Sequence, residues 1–238
     1  SHESAAAAFI DLIALQDSED FVKALLEIVQ RWSYVALNDE ETGQLVSGWL
    51  SFKMPERCDF ESLVEHETKE CGQYSAWIGK KENRRRRDGF ALTDQRYNER
   101  QVLYEVDYCI YCHERDTDSC SKGMRNKKTN SFKVNPLGVA NTGCPLEEKV
   151  SEMHMVKRKG DNVGALAIVI IDNPMCPGTG HRICNDCMKG CIYQKTEPVN
   201  IPQIETNVLT DVLFMPYGFE IYSLLTRWNP LNIKRPYA

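Results

Sequence analysis

Of the ten cysteines in this 238-residue chain, eight fall between Cys109 and Cys191. They run Cys109-x2-Cys112-x7-Cys120, then Cys144-Pro145, Cys176-Pro177 and Cys184-x2-Cys187-x3-Cys191. Thiols two residues apart can converge on one centre, so repeated short spacings constrain the fold more than a lone pair does. Eight such residues also divide into two sets of four.

Four readings are open for them. A secreted disulfide framework fits poorly, because no basic-then-apolar leader precedes the cysteines and 42% hydrophobic residues suffice for a core. Buried thiols without ligands are the blandest alternative. Two four-cysteine zinc sites are the runner-up, since tetrahedral thiolate sites suit zinc as well as iron. Two [4Fe-4S] clusters lead, because the Cys-Pro pairs and the uneven spacing resemble two-cluster ferredoxins, where one run of cysteines serves both clusters.

Charge narrows the partners. Lys+Arg 29 against Asp+Glu 34 gives a net charge of −5, which argues against a general polyanion binder. The run Arg84, Arg85, Arg86, Arg87 is isolated and reads as a solvated face or a docking patch for an acidic protein rather than a nucleic-acid site. Residues 163–171 form the longest apolar stretch, broken by Gly164 and far short of the roughly 20 residues of a membrane span. A cytoplasmic protein with a protein partner, and homo-oligomerisation as an option, is the resulting expectation.

Hydrophobic spacing predicts a mainly α fold. A helical hairpin is expected over residues 5–37, with Phe9, Leu12, Ile13 and Leu15 on one stripe and Phe21, Leu25, Ile28, Val29 and Trp32 on the next. Residues 38–51 read as loop or short extended structure, and residues 59–79 as a helix capped by Asp59. Helices are further expected over 146–158, from Asp161 or Asn162 to Asn173, and over 202–214, leaving the cysteines on loops. A helical region 1–103 thus precedes a cysteine-rich domain 104–238, whose tail from Met215 reads as a docking segment. Cys58 and Cys71 read as incidental thiols, while His113 and His181 read as hydrogen-bonding neighbours of the cysteine segments.

At NPMCPGTGHRICNDCMKGCIYQKTEPVNIPQIE, residues 173–205, the sequence resembles the N-terminal iron-sulfur domain of the glutamate synthase small subunit and dihydropyrimidine dehydrogenase group. The resemblance implies an alpha-helical ferredoxin domain, with electron transfer through two [4Fe-4S] clusters as part of an FAD-dependent NAD(P)H oxidoreductase. It implies Cys109, Cys112, Cys120 and Cys191 as ligands of one cluster, and Cys144, Cys176 and Cys187 of the other. Glu205 or the additional Cys184 would complete the second set. Cys120 and Cys144 stand farther apart than in that group, so residues 121–142 are expected to loop out. No G-x-G-x-x-G follows an expected strand, so FAD and NAD(P)H would sit on an adjoining flavoprotein domain or subunit, and this chain alone would not be a complete catalyst.

Overall fold

The computed structural model describes residues 19–46, 53, 55–81, 84, 89, 94–180 and 183–227. Two compact units, residues 1–50 and 51–238, are each considered by itself. The boundary expected between residues 80 and 103 lies inside the second.

In the first unit, helix α1 (Glu19–Asn38) carries the second expected stripe, and Ile28, Val29 and Trp32 are largely exposed. The other arm of the expected hairpin lies outside the described residues. A short helix α2 (Glu40–Leu45) then replaces the expected loop. Asp39 starts it, its carboxylate accepting from Thr42 N at 2.8 Å, which satisfies one of the free amides of a helix N-terminus.

The helix expected over residues 59–79 is corrected. Strand β1 (His66–Cys71) pairs antiparallel with β2 (Tyr74–Gly79), with His66 opposite Gly79 and Cys71 opposite Tyr74. Gly72 takes φ +71° in the two-residue turn, where a side chain would be strained. Asp59 makes only a local turn, accepting from Glu61 N at 3.0 Å.

Helix α3 (Glu99–Tyr108) begins with a capping box, Asn98 and Gln101 each accepting from the other's backbone amide at 2.9 Å. A 3-10 turn (Cys112–Arg115) and helix α4 (Ser119–Lys122) follow. Helices α5 (Val150–Arg158) and α6 (Asn162–Asp172) form an antiparallel pair, and Asp161 caps α6 by accepting from Gly164 N at 2.7 Å. Short helices α7 (Cys176–Thr179) and α8 (Asp186–Gly190) lead to α9 (Ile201–Leu213) and α10 (Gly218–Arg227).

The core is apolar and helical, with Val102 and Val106 of α3, Met153 of α5, Leu166 and Ile170 of α6, and Ile204, Val208 and Val212 of α9 all buried. Buried ionic groups tie its helices together. Lys157 reaches Asp211 at 2.6 Å and Asn162 at 2.8 Å. Glu105 accepts from Lys53 Nζ at 2.7 Å and from Asn200 N at 2.9 Å, tying α3 to the start of α9. Lys157 and Glu105 thereby each keep a partner.

The fold class is therefore mainly helical with a small two-stranded sheet, and the expectation of ferredoxin-like cysteine-bearing loops is corrected. Cys112, Cys120, Cys176 and Cys187 stand within short helices or helical turns, and Cys109 and Cys191 end α3 and α8. Short helices suit such positions because each turn hydrogen-bonds its own backbone. Among the described residues, no single helix is long and apolar enough to cross a membrane.

Candidate functional site

Residues 121–142, expected to loop out, fold back on themselves. Met124 N donates to Asn141 O at 2.9 Å, Asn141 N to Lys133 O at 2.9 Å, and the excursion closes where Cys144 N donates to Cys120 O at 2.8 Å. Cysteines 24 positions apart are thereby joined through their backbones. Against this junction sits Gly190, the last residue of α8. A Cβ there would stand 2.5 Å from Ser119 O and 3.0 Å from Gly143 Cα, so only glycine allows α8 to lie this close.

Cys109, Cys112, Cys120 and Cys191 line one cavity of about 20 Å³, walled also by Val150, Ser151, His154 and Val199. Cys144, Cys184, Cys187 and Glu205 line a second of about 230 Å³ with Glu148 and Asn173. Cys176 lies instead on an adjoining cavity of about 170 Å³, which shares Gly180 and Glu205 with the second. Gly180 again permits the contact, since a Cβ there would meet Cys176 O at 2.8 Å and Glu205 Oε1 at 2.9 Å.

All ten cysteines are free thiols. Burial pushes the Cys109 thiol up to about 12, with the charges of Cys191 and Cys112 adding to it. Burial also raises Cys120, Cys176, Cys187 and Cys191. Such thiols are poor nucleophiles and hold their protons unless a strongly thiophilic cation displaces them. In the second cavity burial, then the charge of Glu148, pushes Glu205 up to about 8, although Asn173 Nδ2 donates to its Oε1 at 3.4 Å.

His154, which nothing in the cysteine spacing singles out, is fully buried on the wall of the first cavity. Neither ring nitrogen has a hydrogen-bond partner, nor does the hydroxyl of Ser151, one turn earlier on α5. Helical spacing from Val150 was the available signal, since positions 150, 151 and 154 share one face of a helix. His113 is half-exposed, its Nδ1 3.2 Å from Glu152 Oε1. His181 and Arg85, Arg86 and Arg87 lie outside the described residues, whereas Arg84 donates to Gly79 O at 2.7 Å.

Among the described residues, no three cysteine sulfurs lie within 4.8 Å of one another. Among those residues the compact set of three potential metal ligands is His113, Asp118 and Glu152, which contains no cysteine. Tetrahedral zinc with Zn–S of about 2.3 Å needs sulfurs about 3.8 Å apart, so the alternative of two structural zinc sites is corrected.

No family model matches the chain, and no solved structure matches it. Similarity is found to two uncharacterized proteins of Rickettsia prowazekii (strain Madrid E). RP006 is 69% identical over 62 residues, 26% of this chain and 9% of that protein, and RP005 is 28% identical over 159 residues, 61% and 50%. The chain thus spans half or less of either relative. The resemblance to the glutamate synthase and dihydropyrimidine dehydrogenase group finds no support in these comparisons. With it are corrected the two [4Fe-4S] clusters, for which the described cysteines form no compact set, the electron-transfer role, and the place in an FAD- and NAD(P)H-linked oxidoreductase.

Proposed function

We propose that residues 104–238 form a binding module for soft, thiophilic metal ions, which enter at the thiols of Cys109, Cys112, Cys120 and Cys191 and at Cys144, Cys176, Cys184 and Cys187 with Glu205. The observation that carries this reading is the gathering of four free thiols, three of them buried and Cys109 partly so, from three separate segments on one cavity wall. Structural burial alone has no need to bring them to one place, and sulfur donors favour soft cations over hard ones. Soft monovalent ions bind at pairs of thiolates, so compact sets of three or four are not required. A cytoplasmic, reducing compartment would keep the thiols available. The partner in this reading is protein, a flavoprotein or a second copy among the choices, docking where Phe214, Tyr217 and Phe219 are exposed.

The test is an element count on protein isolated without oxygen, followed by anaerobic titration with copper(I) and mapping of protected cysteines by alkylation. Copper(I) uptake that protects the cavity cysteines but leaves Cys58 and Cys71 reactive is expected. Copper(I) binding no better than by a cysteine-free protein, with no thiophilic element present at isolation, overturns the reading.

A further inference from the structure

The wall of the four-thiol cavity holds two polar side chains that the thiols do not explain. Ser151 is 1% exposed and His154 is 0% exposed, and the Ser151 hydroxyl and both His154 ring nitrogens have no partner. They sit three residues apart on α5, so the helix presents them together beside Cys112, Cys120 and Cys191. Buried polar groups are nearly always hydrogen-bonded, because leaving one unpaired forfeits its hydration with nothing in return. Two orphans on one face of one cavity point to something that cavity receives.

The chemistry of the site supplies the missing acceptors. A thiol that binds a cation gives up its proton, and the sulfur then carries negative charge in a water-poor space. A neutral imidazole offers one N–H and a serine one O–H, the two donors such sulfurs can use. We propose that Ser151 and His154 are the hydrogen-bond donors of this cavity, meeting the charge its cysteine sulfurs acquire when a soft cation binds. They act through the sulfurs and are positioning residues, not ligands. The proposal rests on the thiophilic reading above and adds what discriminates this cavity from the Glu205 cavity. There the oxygen is itself offered to the ion.

Copper(I) affinity is compared for the wild type, Ser151→Ala, His154→Gln and His154→Leu, with thermal melting as the check on folding. His154→Leu is expected to weaken copper(I) binding at the first cavity by about 10- to 100-fold, the usual effect of removing a group that orients a ligand. His154→Gln, which keeps an N–H, restores most of it, and binding at Cys144 and Cys187 is unchanged throughout. A measurement on the unmutated protein complements these. With ¹⁵N-labelled histidine, a slowly exchanging ring N–H assigned to His154 appears when copper(I) is added. If copper(I) protects Cys109, Cys112, Cys120 and Cys191 but the Leu variant binds as tightly and the ring signal does not move, a buried water serves these groups and the proposal fails alone. If copper(I) never protects those four cysteines, both readings fall.

Discussion

Lys157 shows what a single residue can hide in a sequence. It falls at helical spacing from Val150 and Met153, and its side chain is only 2% exposed, with Asp211 as counter-ion. Nothing local announces its counter-ion, because Asp211 comes from α9, 54 positions away. Asp211→Asn leaves the ammonium buried without a counter-charge and is expected to cost about 3 kcal/mol in urea unfolding. A change under 1 kcal/mol would mean that Asn162 and water suffice. His154 makes a second case, and its sign is definite. Burial pushes its imidazole down to about 3 from the ordinary 6.5, so the unfolded chain takes up a proton between those values that the folded chain does not. Stability of the metal-free protein therefore falls as pH drops from about 6.5 toward 3. His154→Leu should flatten that part of the curve in unfolding measurements at a series of pH values. An unchanged slope would place the acid sensitivity elsewhere.

At the scale of elements, the sequence was legible where one face of a helix is buried. The stripe of α6 and α9 from Ile201 lie close to their expected bounds, because each pairs a 3.6-residue apolar period with a proline or a capping residue, whereas α5, which has no capping side chain, starts at Val150 and not at 146. Where no face is buried the same period misled. Phe60, Leu63 and Val64 suggested a helix, but Leu63 and Val64 are exposed, and the sequence Cys71-Gly72-Gln73-Tyr74 instead turns a two-stranded ribbon. Gly72 between residues of alternating character was the stronger signal. The packing of short elements was not legible at all, since it depends on contacts between backbones. Gly190 is the sharpest example. Gly190→Ala drives a Cβ into Ser119 O and Gly143, and because both obstacles are backbone they cannot rotate away. Loss of about 2 kcal/mol or more of stability is expected, with weaker copper(I) uptake at both cavities because α8 carries Cys187 and leads into Cys191. A variant as stable as wild type would show that α8 shifts without cost.

For the whole molecule, cysteine spacing said only that eight thiols divide into two sets of four, and it was the resemblance that implied which four belong together. Cys109, Cys112, Cys120 and Cys191 do share a cavity, yet spacing alone is silent on the distances that separate one kind of occupant from another, and the type of centre came from a resemblance that the comparisons do not support. What the fold does settle is where the organisation resides. Among the described residues, the large apolar cluster runs from Val102 to Val212, with Ala36 and Val46 buried apart from it in the first unit, and the charges that tie the cluster's helices together come from Lys53, Glu105, Lys157 and Asp211. That cluster and those charges belong to the unit of residues 51–238, as do the cysteine-lined cavities. Residues 51–238 expressed alone should therefore unfold cooperatively with a melting temperature within a few degrees of the full chain. They should bind the same number of copper(I) ions, while residues 1–50 bind none. The cut leaves Lys53 close to a new terminus, and its ammonium is held by Glu105 at 2.7 Å and Glu197 at 2.6 Å. Burial works against that ammonium, but the two carboxylates outweigh it and hold it charged. A fragment that melts without cooperativity, or that takes up fewer ions, would show that the first 50 residues complete the core or a site.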